Sequence, residues 1–265
     1  MLPVYKAIDV KNVISEKAGH TRPWVVLAET PEGLKSFVVK LYSTEQVDLF
    51  HCVTKEVVCN LLAIEFDLKV PQCVLIELPE DLVLNLPSQL QQQYNNADYR
   101  LKFATQYFDN VISATKEIPS KVYKKRIVMD TLFAFDNLIR NGDRGQNKTN
   151  LLLSPDNAFL IDHERALSTN DIVNIYLETL QLEDRFTKYH LFYPYLKDAR
   201  GKNKYNFFND FNEYLRFLNL NKLTPYFNQL VNEGFYDYSQ PITAWLNNVK
   251  QNSTIFVNKL KGAVQ

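Results

Sequence analysis

The chain has 265 residues, 46% hydrophobic and 23% charged, with 30 Lys plus Arg against 30 Asp plus Glu. That length suits one sizeable core or two lobes sharing a cleft, and the composition is that of a soluble globular protein rather than a disordered or fibrous one. The even charge excludes a global field drawing the chain to nucleic acid or an anionic membrane, and the three cysteines fit a reducing compartment.

The start, Met1 to Lys6, lacks a charged segment followed by a long apolar run, so neither a signal peptide nor a membrane span is expected and the cytoplasm is the expected location. Ala18-Gly19-His20-Thr21-Arg22-Pro23-Trp24 precedes the apolar strand Val25 to Ala28. Small Gly19, next to His20, would free backbone amides there, Thr21 offers a hydroxyl and Arg22 a cation, all suited to phosphate oxygens. With a single glycine, a plain hairpin connection accounts for the segment equally well. No Walker pattern occurs in the chain, which argues against a P-loop enzyme.

A turn over Thr30 to Lys35 leads to a β-rich run, Ser36 to Tyr42, which puts Lys40 near a strand end. Glu45 to Phe66 has helical periodicity, with Val53, Val57, Leu61, Leu62 and Ile64 on one face, Ser43 or Thr44 as cap, and Glu56 within it. Cys52 and Cys59 share a face near His51, but no second pair completes a tetrahedral set, so core packing is expected. Cys73 to Leu78, closed by Pro79, reads as a strand. From Leu82 the chain turns polar and amide-rich, as a crossing segment would.

Val122 to Arg140 reads as one apolar helix with a solvated basic start at Lys121, Lys124, Lys125 and Arg126. Past Ser168 helices are expected at Ile172 to Leu182, Phe207 to Leu218, Leu223 to Asn232 and Ile242 to Lys261, with a loop at Tyr193 to Lys204. The aromatic residues recur at helical spacing and read as core. No interleaved basic surface is established for stacking bases, so no direct nucleic-acid binding is expected.

The most informative stretch lies between these helices. The helix through Phe135 ends at the polar loop Asn141-Gly142-Asp143-Arg144; the apolar run Leu151 to Leu153 follows, and a second one, Ala158 to Ile161, delivers Asp162. Phosphoryl transfer needs an acidic residue to orient the attacking hydroxyl and oxygen ligands to hold magnesium on the phosphates. Asp143, Asn150 and Asp162 are of those types. The loop alone is also ordinary turn chemistry, since Asn, Asp and Gly favour turns. An apolar run ending in Asp162-His163-Glu164 is less easily a turn, and together the segments favour a site.

Asn141-x-Asp143-Arg144, then Asn150-Leu151-Leu152-Leu153, then Ile161-Asp162-His163-Glu164 resembles the HipA-like kinases and, more distantly, the phosphatidylinositol kinases. The match reaches back to about Gly19, with Lys40 and Glu56 in the places of the paired lysine and glutamate and Leu68-Lys69-Val70-Pro71 in the place of a Leu-x-Val-Pro turn. The resemblance implies an α+β, bilobal protein-kinase-like fold: a small β-rich N-terminal lobe over residues 1–82 and a mainly helical C-terminal lobe over 83–265. It also implies ATP and Mg2+ as cofactors and a serine/threonine protein of unknown identity as acceptor.

In that frame Asp143 orients the acceptor hydroxyl and Arg144 braces its loop. Lys40 binds phosphate, Glu56 orients Lys40, and Asn150 and Asp162 hold magnesium. Gly19, His20, Thr21 and Arg22 face phosphate, and main chain near Glu77 or Leu78 meets adenine at a hinge. One position departs from the family: Lys148 stands where an asparagine is usual, between Asn147 and Asn150. Asn150 is assigned to the metal because it adjoins the strand Leu151 to Leu153, with Asn147 as its rival. Lys148 also motivates a second reading, a nucleotide-binding pseudokinase or interaction module without turnover. A small-molecule acceptor is a third.

Overall fold

A computed structural model of the chain describes residues 1–14, 22–146, 148–168, 179–199 and 202–265. The architecture is mixed α+β, with strands dominating the N-terminal part and helices the C-terminal part. Two compact units are present. The first comprises Met1–Val57, Pro71–Asp109 and Thr224–Tyr238; the second comprises Val58–Val70, Asn110–Leu223 and Ser239–Gln265.

The first unit is built on a closed barrel. Its strands are β1 (Val4–Val13), β2 (Trp24–Thr30), β3 (Gly33–Val39), β4 (Cys73–Glu77) and β5 (Lys102–Gln106), in the spatial order β1-β2-β3-β5-β4. The pair β1 and β4 is parallel and the other pairs are antiparallel. Period-two alternation fills the inside with Trp24, Val26 and Ala28 from β2, Phe37 and Val39 from β3, Val74 and Ile76 from β4, and Ala104 from β5. Closure leaves the barrel no open edge. The β2–β3 turn passes through Pro31 and Glu32 and requires a left-handed residue at Gly33, φ 106°, whose carbonyl accepts from the Thr30 hydroxyl at 2.7 Å.

The helix expected from Glu45 to Phe66 is two helices, α1 (Thr44–Asp48) and α2 (Cys52–Glu65). Ser43 caps α1 in a reciprocal box with Gln46, and the chain then reverses through His51 at φ 52°, a conformation no helix continues through. β4 was expected to lead into the crossing between the parts. It leads instead into α3 (Glu80–Leu84) and α4 (Ser88–Asn95), still in the first unit. The chain returns as β5 between β3 and β4, and passes into the second unit after Asp109. The boundary expected after residue 82 therefore lies inside the first unit's sequence. Arg100 secures the return, bonding Asp48 at 2.6 Å, Asp98 at 2.7 Å and the Gly234 carbonyl at 2.8 Å.

The second unit carries a three-stranded antiparallel sheet, β6 (Ile112–Ser113), β7 (Leu151–Leu153) and β8 (Ala158–Leu160), with helices around it. The helix expected over Val122 to Arg140 is split into α5 (Ser120–Tyr123) and α6 (Met129–Leu138). Arg126 turns in the gap and donates to the carbonyls of Ser154 at 2.8 Å and Val122 at 2.9 Å. Every residue of α6 from Thr131 to Leu138 is buried. Phe66 packs on Phe135 and Phe211 with ring centres 5.6 and 5.1 Å away, and Trp245 donates its indole N–H to the Leu138 carbonyl at 2.7 Å.

Later helices are Asn209–Phe217, Ser239–Gln251 and Ser253–Ala263; the last two were expected as one and part at Asn252, whose amide turns back onto the Asn248 carbonyl at 2.9 Å. Helices Tyr193–Lys197 and Lys202–Asn206 occupy much of the stretch expected as a loop. The expected helix Ile172 to Leu182 lies largely outside the described residues. Among the described residues no helix is long and apolar enough to cross a membrane.

Candidate functional site

In the first unit, Lys40 follows directly on β3, and its backbone N–H is held by the Phe103 carbonyl at 3.0 Å. Its ammonium is hydrogen-bonded to Glu56 of α2, and the Tyr42 hydroxyl donates to the same carboxylate oxygen at 3.1 Å. Glu56 is 2% exposed. A carboxylate so far from water needs cationic and hydroxyl donors, and the stretch following β3 supplies both, Lys40 and Tyr42. Each partner is set by a regular element, and the lysine is thereby held in one orientation.

The second unit brings together Asp143, Lys148, Asn150 and Asp162. Asn141 starts the turn by accepting the Asp143 N–H at 3.1 Å. The Asn150 amide donates to the Asp143 carboxylate at 3.2 Å, which leaves its oxygen as an acceptor. Asn150 and Asp162 are both left-handed, at φ 44° and 65°, and the Asn150 carbonyl receives the Ile161 N–H at 3.1 Å, so the two residues are fastened across neighbouring strand ends. Lys148 reaches into the group: its ammonium lies 2.7 Å from Asp143 Oδ2 and 2.8 Å from Asp162 Oδ2. Burial works against the charge on Lys148, but Asp162 and Asp143 outweigh it and raise the pKa above the ordinary lysine value. Arg165 adds a looser cation 3.8 Å from Asp143. Two carboxylates and an amide are hard oxygen donors of the kind magnesium takes, so the residues present fit that ion.

This loop is positioned from beneath by a buried polar network. Asp136 of α6 is 0% exposed and accepts from Arg144 Nε at 2.7 Å, His190 Nε2 at 2.9 Å and Asn141 Nδ2 at 3.0 Å. Burial pushes the Asp136 carboxyl up, but Arg144, His190 and His163 more than offset it and hold the pKa below the ordinary aspartate value. His190 Nδ1 accepts the Phe192 N–H at 3.0 Å, so the proton it gives Asp136 sits on Nε2. Arg144, 1% exposed, also donates to the Asn150 carbonyl and meets His163 Nε2 at 3.1 Å. The guanidinium therefore ties the loop of Asp143 to the strand ends carrying Asn150 and Asp162. A further clamp is Arg140, left-handed at φ 54°, bonded to Glu183 at 2.6 Å with its guanidinium over the rings of Phe186 and Trp245.

The remaining expected residues fare differently. Arg22 is described; its carbonyl accepts from Gln93 at 2.9 Å, and it borders a cavity of about 530 Å³ with Ser43, Gln46, Gln89 and Gln93. Gly19, His20, Thr21 and Asn147 lie outside the described residues. Glu77 and Leu78 do not lead to a crossing: Glu77 ends β4, and Leu78 packs in the barrel core ahead of α3. The stretch after β5, ending at Asp109, is one of the places where the chain leaves the first unit, the others following Val57 and Tyr238. β5 escaped notice because only Phe103 and Ala104 in it are apolar, and pairing on both sides rather than side-chain pattern makes it a strand. Asp136, His163 and His190 were also missed as supports. Asp136 had a signal, a carboxylate among Leu132, Phe133, Phe135 and Leu138 in a helix with no polar face to put it on.

The chain is similar to the crystal structure of a Helicobacter pylori proinflammatory kinase, CtkA, with 12% sequence identity, 91% of this chain and 94% of that chain covered, and a TM-score of 0.46. No curated protein matches it. Residues 10–200, well over half of the sequence, match the profile of the HipA-like kinases, and the chain belongs to that family.

Proposed function

We propose that the protein is an ATP- and magnesium-dependent phosphotransferase whose acceptor is a serine or threonine of another protein. The observation that carries this reading is the convergence of Asp143, Asn150 and Asp162 on one spot of the second unit, fastened by Arg144. Asp143 receives the acceptor hydroxyl and orients it. Asp162 and the Asn150 amide oxygen would hold the metal, which would supply neutralisation of phosphate charge. Lys40 takes phosphate, and Glu56 keeps its ammonium from swinging away. Adenine recognition belongs to main-chain groups after β5 rather than at Glu77 and Leu78, because a segment held by strand pairing and leading out of the unit offers backbone groups of fixed position. Family membership supports the reaction class; the protein acceptor is the family resemblance carried over.

The test is transfer of labelled γ-phosphate from ATP to the protein itself and to a generic serine/threonine substrate. Asp143→Asn is expected to lose about 100-fold or more in turnover while keeping nucleotide affinity, as removal of a general base does. Asp162→Ala is expected to lose magnesium-dependent nucleotide binding as well. Near-wild-type turnover in folded Asp143→Asn would remove Asp143 from the chemistry.

A second reading is favoured by one observation: the Lys148 ammonium lies against both Asp143 and Asp162. A fixed cation there suits nucleotide binding without turnover. Nucleotide-induced stabilisation with no detectable hydrolysis or transfer in the parent protein would select it.

A further inference from the structure

Asp143 Oδ2 accepts from Lys148 at 2.7 Å and from the Asn150 amide at 3.2 Å, and Lys148 makes its second bond to Asp162 Oδ2 at 2.8 Å. A magnesium or manganese ion held by Asp162 and the Asn150 amide oxygen would need such oxygens at about 2.1 Å. An ammonium hydrogen-bonded to the same Asp162 carboxylate would then stand roughly 3–4 Å from a doubly charged ion, where repulsion is strong even with solvent screening. The two cations are thus alternatives. Lys148 has somewhere to go: its side chain is 41% exposed, whereas those of Asp143 and Asp162 are 16% and 17% exposed. Its neighbour Thr149 is pinned to the Ala114 carbonyl at 2.6 Å, so a swing of the lysine side chain need not disturb the strand end that carries Asn150.

We propose that Lys148 is a tethered competitor of the divalent cation: its ammonium holds the Asp143–Asp162 pair, and metal loads only as that side chain leaves. This rests on the reading of Asp162 and Asn150 as metal ligands. It makes Lys148 a residue that sets metal affinity rather than one that takes part in transfer.

The experiment is a Mn2+ titration of the full chain without nucleotide, with free ion followed by electron paramagnetic resonance and folding checked by circular dichroism. Lys148→Met and Lys148→Gln are expected to bind Mn2+ roughly tenfold or more tightly than the parent, the order expected for removing a partly screened like charge. Lys148→Arg, which keeps the charge, should stay near the parent. Adding Asp162→Ala to Lys148→Met should abolish the gain. Unchanged or weaker binding in both Lys148→Met and Lys148→Gln would overturn the competitor role while leaving the metal site standing. Equal tightening in Lys148→Arg would overturn it too, by showing that bulk rather than charge matters. Absence of Mn2+ binding in the parent and every variant would overturn both this proposal and the metal assignment beneath it.

Discussion

The Lys40–Glu56 pair of the first unit and the Asp143–Lys148–Asp162 group of the second each set a lysine against carboxylate, but they are anchored differently. Lys40 follows a barrel strand, Glu56 sits on a helix, and the glutamate is almost fully buried with a tyrosine hydroxyl as second donor. In the second unit the partners come from a loop and two strand ends with left-handed residues at Arg140, Asn150 and Asp162, and Lys148 is 41% exposed. Regular elements place a side chain through local backbone bonds. The loop has only a few backbone bonds of its own, such as Asn141 N–H to the Asp136 carbonyl at 2.8 Å, and the side chains of Asp136, Arg144, His163 and His190 add the rest of its order, the histidines from well beyond it in sequence. A site of the second kind is most fragile at its buried support, not at the residues it displays.

The comparison breaks if the support is not the weakest point. Asp136→Ala leaves the Arg144 guanidinium buried without its carboxylate, and a loss of about 3–5 kcal/mol in unfolding free energy is expected by denaturant titration. A loss under about 1 kcal/mol, the range of an exposed pair, would show that the network does not hold the loop. The pH dependence has a definite sign. The Asp136 pKa is lowered on folding, so its contribution is complete above the unfolded aspartate value of about 3.9 and is lost as pH falls through that value toward the folded one. Asp136→Asn should flatten this acid limb of the stability profile.

Lys40→Met should come next, at about 1–3 kcal/mol, because Glu56 keeps its bond from Tyr42 while losing the ammonium. A cost as large as that of Asp136→Ala would erase the distinction between the two regions. Asn150→Ala is expected to cost about 1–2 kcal/mol for placing a side chain without local hydrogen bonds at φ 44°. Asn150→Gly should recover that backbone cost but still show a raised magnesium requirement in transfer assays. If the glycine variant restores the magnesium requirement too, Asn150 serves the backbone alone. The smallest effect belongs to Lys148→Met, within about 1 kcal/mol because the pair is partly exposed. Its thermal midpoint should hardly move while its cation affinity does.

Much of the barrel was legible locally. The apolar run Val25 to Ala28 and the β-rich run from Ser36 mark strands, and Ser43, one of the two caps offered by the sequence, marks a helix start. The apolar runs flanking Asp143 and Asp162 appear as α6, β7 and β8. Less legible were the interruptions. His51 in a left-handed turn and the break at 124–128 interrupt sequence that continues to look helical, because periodicity reports which residues are apolar and not where the backbone reverses.

The sequence by itself determined the residue types proposed for the reaction and their order, Lys40, Glu56, Asp143, Asn150 and Asp162, along with the family pattern, since residue type and spacing are carried in the chain. Tertiary structure alone decided three things. It made β5 a strand by pairing it with β3 and β4, so that the segment begun at Pro71 stays in the first unit as far as Asp109. It brought His163 and His190 to Arg144 and Asp136, which sequence separation concealed. It set Lys148 against both Asp143 and Asp162, because a flexible side chain goes where the summed field of distant carboxylates draws it, and only folding establishes that field.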